Sequence, residues 1–233
     1  MVVPQMAAPA PGLEDSGDDE PRSVPYKVIL LGDGAVGKTS IAMRFSQDHF
    51  AQSYKQTIGV DFFHKHIELP NGQRVALQIW DIGGQSIGGK MIGNYIYGAH
   101  AVLLCYDITN YQSFQDVEDW LRLVRRTFAN ETMPLVALVG NKVDLAHMRT
   151  VRSTKHNQFC DENDATPFFL CAKNGENVNT CFFKLAAMLA GVAVTKHEVE
   201  STTKVVTAEI INHQRHDPAE QGAAKPAKKC EIQ

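Results

Sequence analysis

The stretch that decides the fold is residues 26–40, YKVILLGDGAVGKTS. Its first seven residues form a short, nearly all-apolar run, as expected for a β-strand buried on both faces. Residues 32–40 match the pattern G-x-x-x-x-G-K-[ST], and apolar side chains recur at helical spacing behind them. A strand, a glycine-rich loop and a helix in this order predict a cradle for the phosphates of a nucleotide.

The chemistry of this loop assigns a role to each residue type. Gly32 and Gly37 let the backbone wrap closely around a phosphate chain, so that successive N–H groups point inward. Lys38 is expected to contact the outer phosphates, and the Thr39 hydroxyl to ligate Mg²⁺. A chance glycine-rich turn is disfavoured, because both flanking elements fit. The candidate phosphate-binding residues are Gly32, Asp33, Gly34, Ala35, Val36, Gly37, Lys38, Thr39 and Ser40.

Strand-like and helix-like segments alternate along the chain. The predicted strands are 26–32, 60–69, 74–82, 101–108, 134–142 and 167–172. The predicted helices are 38–47, 113–128, 153–163 and 177–191. The turn sequence PNGQ joins the second and third strands as a hairpin. The fold class is therefore α/β, with a mostly parallel six-stranded sheet, one antiparallel hairpin and helices on both faces.

Guanine is the base that the second candidate site favours. The sequence GNKVD, residues 140–144, follows a buried strand, and the Asp144 carboxylate can accept both donors of the guanine Watson–Crick edge, which adenine lacks. Asn141 can bind N7 and tie loops together, and the Lys142 stem can cover the base. The Ala172 N–H is expected to reach O6. The candidates after the next strand are Cys171, Ala172 and Lys173.

Length and composition set further limits. The 233 residues allow one domain with tails, and 44% apolar and 21% charged residues are ordinary for a soluble protein. A net charge of −3 gives no reason to expect nucleic-acid binding. We expect a disordered Pro- and acid-rich arm at 1–24, one domain at 25–195 and a flexible tail at 196–233. No secretory signal or membrane-spanning run is visible.

Cysteines and histidines show no metal-ligand spacing. The five cysteines are interpreted as reduced thiols, the first four of them as small buried side chains: Cys105, Cys160, Cys171, Cys181 and Cys230. The nine histidines are interpreted as solvated or structural, not as a zinc site.

Five separate motifs together resemble one family. The phosphate loop, QTIG (56–59), D-x-x-G-Q (81–85), N-K-x-D (141–144) and A-K (172–173) occur in the order and spacing of the Ras superfamily of small GTPases. TIGVDF and the Trp before Asp81 resemble the Rab family, and the C-terminus resembles its divergent farnesylated branch. The resemblance covers about residues 25–192. It implies a phosphate-loop NTPase of the small G-domain type that binds GTP or GDP with Mg²⁺ and hydrolyses GTP.

The resemblance also implies roles around the γ-phosphate. Thr57 would ligate Mg²⁺ beside Thr39, and Asp81 would hold the ion through water. The Gly84 N–H would bind the γ-phosphate. Gln85, the candidate catalytic residue, would orient the attacking water.

Aromatic residues complete the set that the resemblance implies. Phe50 takes the place of the ring packed against guanine, and Tyr54 would close over the phosphates. Phe62, Trp80 and Tyr95 match the Rab aromatic triad for effector contact, with ordinary apolar packing as the alternative. The sequence WDIGGQS, residues 80–86, departs from the commoner WDTAGQE without losing its chemistry, and its glycines predict a mobile second switch.

The last four residues, CEIQ, form a C-a-a-X box. Gln at the final position favours farnesylation of Cys230, whereas an exposed Cys near a chain end is the alternative. One prenyl chain gives marginal, reversible membrane binding. We therefore expect a monomer on the cytoplasmic face of membranes, with a cytosolic pool carried by a prenyl-binding chaperone. The family branch points to cilium, basal body and cell membrane.

Two functions remain open at this point. The first is an enzyme that acts as a switch, with an exchange factor, a GTPase-activating protein and GTP-dependent effectors as partners. The second is a nucleotide-stabilised scaffold with little productive cycling. Gln85 and Thr57 favour the first. An ATP-dependent kinase on the same fold is disfavoured by Asp144 and by the lack of a lid for a phosphate acceptor.

Overall fold

The structure, a computed structural model, describes residues 25–84, 89 and 91–201. The predicted arm at 1–24, most of the predicted tail, the catalytic candidate Gln85 and the lipidation candidate Cys230 lie outside these residues.

The six strands form one sheet in the order β2-β3-β1-β4-β5-β6. Their bounds are β1 Pro25–Leu31, β2 Val60–Glu68, β3 Arg74–Ile82, β4 Ala101–Asp107, β5 Leu135–Asn141 and β6 Thr166–Phe169. Strands β2 and β3 pair antiparallel, with Phe62 opposite Trp80, and the other pairs are parallel. The prediction of a mostly parallel sheet with one hairpin is confirmed.

Helical segments connect the strands. They are α1 Lys38–Gln47, α2 Ile92–Ile96, α3 Tyr111–Gln115, α4 Val117–Thr127, a 3-10 helix Val143–Met148, α5 Ser153–Asn163, α6 Val178–Ala190 and α7 Lys196–Ser201. The helix predicted at 113–128 is divided at Asp116, whose carboxylate accepts a hydrogen bond from Gln112. Helix α7 begins where the tail was predicted to begin, and Val199 in it is buried.

The core lies on both faces of the sheet because alternate residues of the buried strands point to opposite sides. On one face Val28 and Leu30 pack towards α1 and α6, where the rings of Phe45 and Phe182 stack at 4.0 Å. On the other face the cluster includes Ile29 and side chains of α2, α4 and α5. Burial on both faces explains the unbroken apolar runs of the sequence.

Parallel pairing places the site. The carboxyl ends of β1, β4, β5 and β6 meet at one edge of the sheet, the edge at which open α/β sheets bind ligands. The phosphate loop follows β1, and the N-K-x-D sequence begins at the end of β5. Two motifs about a hundred residues apart thereby become neighbours.

The described part of the chain contains no helix long and apolar enough to cross a membrane. Within the same residues no three His, Cys, Asp or Glu side chains are grouped to hold a metal ion. Cys105, Cys160, Cys171 and Cys181 are free and buried, as the sequence predicted.

His156 is a fully buried histidine beneath the end of β5. Its Nδ1 lies 2.9 Å from the Tyr106 hydroxyl, and its ring lies 4.1 Å from that of Phe169. Burial, helped by the positive charge of Arg149, lowers the pKa of His156 from 6.5 to about 4. The folded state therefore keeps this ring neutral at pH values where the unfolded chain binds a proton.

This difference predicts an acid-dependent loss of stability. As the pH falls from about 6.5 to about 4, the unfolded state gains a proton that the folded state does not, so the free energy of unfolding falls. One such group contributes at most about 1.4 kcal/mol per pH unit. We expect the free energy of unfolding, measured by urea titration at several pH values in this range, to fall less steeply with falling pH in His156→Gln than in the parent. His147→Gln, at an exposed histidine, is the control. Equal slopes in parent and His156→Gln would contradict this account.

Candidate functional site

A pocket of about 860 Å³ opens at the carboxyl edge of the sheet. This volume is in the range of small-molecule and cofactor sites. Most of the predicted site residues line it: Gly34, Ala35, Gly37, Lys38, Thr39, Ser40, Phe50, Tyr54, Thr57, Gly84, Asn141, Lys142, Asp144, Cys171, Ala172 and Lys173. The structure thus brings together residues that the sequence scatters over about 140 positions.

The phosphate loop has the backbone that the glycines predicted. Gly37 has φ +97°, and a Cβ there would overlap the side-chain amide of Asn141. Lys38 is buried, and its Nζ donates to the carbonyl oxygens of Gly32 and Asp33, each at 2.7 Å. Burial lowers the pKa of Lys38. A desolvated ammonium held at the loop is well placed to attract an anion.

Three oxygen-bearing side chains from separate segments meet next to the phosphate loop. The Thr39 Oγ1 lies 2.8 Å from the Thr57 Oγ1, and both hydroxyls bond to Oδ2 of Asp81. Asp81 is fully buried, and burial raises its pKa. Its Oδ1 has no hydrogen-bond partner among the described residues. An unsatisfied buried carboxylate oxygen beside two hydroxyls fits a hard divalent cation such as Mg²⁺.

The double glycine after β3 passes close to two other loops. A Cβ on Gly84 would overlap the phosphate-loop backbone at Gly34. The Gly83 N–H donates to the Gly59 carbonyl at 3.0 Å, and a Cβ on Gly83 would lie 2.5 Å from the Thr57 carbonyl oxygen. The sequence linked these glycines to motion. In the structure they also permit the close packing of three backbone segments.

Asn141 ties the base side of the pocket together. It is buried, and its Nδ2 donates to the Val36 carbonyl at 2.8 Å. Its Oδ1 accepts from the N–H groups of Lys142 at 2.8 Å and Ala172 at 3.2 Å. The sequence predicted that Asn141 would link loops, and the contacts do so. The Ala172 N–H, expected to bind guanine O6, is directed here at Asn141.

The Asp144 carboxylate is held by two side chains of the loop that follows β6. Its Oδ1 accepts a hydrogen bond from the Cys171 thiol at 3.1 Å, and its Oδ2 lies 3.9 Å from the Lys173 Nζ. These contacts join Cys171 and Lys173 to the carboxylate that the sequence identified as the guanine reader. The two lysine stems, Lys142 and Lys173, both line the pocket.

The predicted aromatic residues fall into two groups. Phe50 lines the pocket and packs against the core, whereas Tyr54 is 68% exposed at the rim. Away from the pocket, the rings of Phe62 and Trp80 meet edge to face at 4.6 Å, and Phe62 is 63% exposed. Tyr95 packs against the same core cluster as Trp80.

Three supporting residues were missed by sequence reasoning. Arg44 bonds to the loop after β6, and the Trp120 Nε1 donates to Asp33 Oδ1 at 3.1 Å. Asp107 lies 2.7 Å from the Lys142 Nζ, and despite burial this bond helps to hold the pKa of Asp107 below its usual range. The position of Asp107 at the end of a strand was an available signal. The other two are ordinary residues of amphipathic helices.

Comparison with known proteins adds an independent line of evidence. Residues 27–190 match the Ras family. The chain is 41% identical over 203 residues to Ras-related protein Rab-28 of Caenorhabditis elegans, and the aligned region covers 87% of this chain and 82% of that protein. It is 38% identical over 168 residues to Ras-related protein Rab-30 of Homo sapiens, with coverage of 72% and 81%.

Proposed function

Because the chain belongs to the Ras family as a Rab-type small GTPase that hydrolyses GTP, we propose that it acts as a Mg²⁺-dependent switch that recruits effectors in its GTP state. One observation carries this proposal. The phosphate loop, the oxygen cluster of Thr39, Thr57 and Asp81, and the Asp144 carboxylate meet around a single pocket.

The pocket lining supports a proposal for the base contacts. Asp144 accepts the N1–H and N2–H₂ donors of guanine, and Asn141 bonds to N7 while it ties the phosphate loop to β5. The stems of Lys142 and Lys173 cover the two faces of the base. These roles account for a choice of GTP over ATP.

Thr39, Thr57 and Asp81 would hold Mg²⁺, Asp81 through a water molecule. The ion supplies positive charge that neutralises the outer phosphates. The buried Oδ1 of Asp81 supports this assignment, because its hydrogen-bonding capacity is unmet among the described residues. Lys38, whose Nζ bonds to the Gly32 carbonyl, adds a second positive charge at the phosphate loop.

Gln85 is proposed to orient the attacking water, and replacement by Leu tests that role. We expect Gln85→Leu to lower both intrinsic and activator-stimulated hydrolysis, from an intrinsic rate of about 10⁻⁴ s⁻¹, while GTP binding is retained. Single-turnover phosphate release measures the rate, and the neighbouring Ser86→Ala serves as control. If Gln85→Leu hydrolyses GTP at the parent rate, another group orients the water. If the parent itself binds GTP without hydrolysis or effector capture, the scaffold function replaces the switch.

Effector recruitment is proposed for the surface around Phe62 and Trp80. Strand β2 is an edge strand of the sheet, and its exposed Phe62 ring lies against Trp80 beside the Thr57 segment. Binding of a γ-phosphate by Thr57 and Gly84 would hold this surface in a single conformation. We propose vesicle or ciliary trafficking as the process served, with an exchange factor and an activating protein as regulators.

Membrane attachment is proposed through a farnesyl group on Cys230. One prenyl chain binds membranes only marginally, and Lys225, Lys228 and Lys229 would add about 1 kcal/mol each on an anionic leaflet. We expect Cys230→Ser to abolish farnesyl labelling and to move the membrane-bound fraction to the cytosol. Cell fractionation with metabolic labelling measures both, and Cys160→Ser is the control. Equal partitioning of parent and Cys230→Ser would refute the lipid anchor.

A further inference from the structure

Helix α1 is bonded at its far end to the loop that follows β6. The Arg44 Nε donates to the Ala172 carbonyl at 3.0 Å, and Nη2 donates to the Lys173 carbonyl at 2.6 Å. Nη1 donates to the Asp48 carbonyl at 3.0 Å and lies 3.4 Å from the Asp48 carboxylate. All three guanidinium nitrogens therefore have acceptors, and the side chain is only 18% exposed.

The shape of the arginine side chain suits this position. Its planar fork holds two carbonyl oxygens in a fixed geometry, which a flexible lysine ammonium does not reproduce. The aliphatic stem lies along the turn at Gly175, where a Cβ would come within 3.5 Å of the Arg44 Cδ. The contact therefore combines charged hydrogen bonds with packing.

The position of α1 gives this contact a consequence for the pocket. The helix starts with Lys38 and Thr39, which face the phosphate end, and spans ten residues, or about 15 Å. Arg44, near its other end, donates to the carbonyls of the segment that also carries the Ala172 N–H, bonded to Asn141, and the Lys173 side chain that lines the pocket. One rigid helix thus fixes the spacing between the phosphate contacts and the base contacts.

We infer that Arg44 is a positioning residue that holds the 171–173 loop against the guanine base and thereby sets the rate of nucleotide release. This inference rests on the proposed guanine-nucleotide function. Arg44 does not line the pocket, so it acts only through Ala172 and Lys173. Release of the base requires this loop to move, and movement requires its bonds to the guanidinium to break.

The test uses the full chain loaded with GDP carrying a methylanthraniloyl group on the ribose, released into excess GDP with Mg²⁺. We expect Arg44→Ala to release GDP about 10- to 100-fold faster, the scale of hydrogen bonds to a charged donor. Arg44→Lys should remain faster than the parent, because one ammonium does not hold both carbonyls. Arg122→Ala, which removes an exposed arginine paired within its own helix, should match the parent.

Two further readouts separate positioning from general loosening. A nucleotide with a 2-aminopurine base lacks O6 and keeps the cover by the Lys173 stem, so Arg44→Ala should accelerate its release less than it accelerates the release of GDP. Chelation of Mg²⁺ should accelerate GDP release by the same factor in both proteins, because Thr39, the proposed metal ligand, lies at the other end of α1. If Arg44→Ala fails to fold, the same release rates are compared between Arg44→Lys and the parent.

Three outcomes would overturn the inference. The first is GDP release from Arg44→Ala or Arg44→Lys at the parent rate. The second is equal acceleration for GDP and for the 2-aminopurine nucleotide, which would indicate a loosened fold. The third is a parent chain that takes up no GDP, which would refute the proposed function and this inference with it.

Discussion

Replacement of Asp144 by Asn is expected to lower the affinity for GDP by roughly 10²- to 10⁴-fold and to create affinity for xanthosine diphosphate. Hydrogen bonds to a charged acceptor contribute about 1.5–3 kcal/mol each. The variant loses the negative charge, and its amide NH₂ group, a donor, would face the N1–H and N2–H₂ donors of guanine. The Cys171 thiol donates to Oδ1 of Asp144, so the amide oxygen of an Asn would keep that bond and the NH₂ group would face the base. Xanthine offers a carbonyl where guanine carries its amino group.

Equilibrium titration of the fluorescent diphosphates of guanosine, xanthosine and inosine measures this change of preference. Asp164→Asn is a matched control, because Asp164 is exposed at the end of α5 in a left-handed conformation that Asn also adopts. We expect the control to keep the parent order of affinities. A variant Asp144→Asn that still prefers guanosine diphosphate would show that the carboxylate does not read the base.

The fold was predictable because its signals are local. The strand, loop and helix of residues 26–47 are each encoded by neighbouring side chains, and the observed bounds Pro25–Leu31 and Lys38–Gln47 lie close to the predicted ones. The hairpin was marked by its turn sequence. Parallel pairing then places the ends of β1 and β5 together, so motif position alone predicted which loops would share a pocket.

The supporting contacts were not predictable in the same way. Arg44 and Lys173 are 129 residues apart, and an arginine on an amphipathic helix is indistinguishable by periodicity from a solvated one. The steric role of Gly83 depends on how near the Thr57 carbonyl lies, which is a tertiary distance. Local pattern thus identified the groups that face a ligand, whereas the contacts that hold them arise only when distant segments pack.

Replacement of Asp81 by Asn is expected to change stability and nucleotide retention in opposite directions. Burial raises the pKa of Asp81 above its ordinary value of 3.8, so in metal-free protein above that raised pKa the ionised carboxylate lowers the free energy of unfolding. A neutral amide costs less to bury than a carboxylate. Without Mg²⁺ and nucleotide, we therefore expect the thermal midpoint to rise by roughly 2–4 °C, equivalent to about 1 kcal/mol for a chain of this size.

With Mg²⁺ and GDP the same substitution should be harmful. The carboxylate that is costly to bury alone is the proposed anchor of the ion's water ligand, and loss of such an outer ligand weakens metal binding by about 10- to 100-fold. GDP release from Asp81→Asn should be faster by a similar factor and should respond little to chelation, whereas chelation should strongly accelerate release from the parent. Asp164→Asn, at an exposed aspartate at the end of α5, is the control for charge. If the variant is more stable than the parent without ligand but retains GDP like the parent, the buried carboxylate does not take part in metal binding, and the assignment of Asp81 as a metal ligand is refuted. A variant destabilised in both conditions would instead make the carboxylate a structural group, held in place by Thr39 and Thr57.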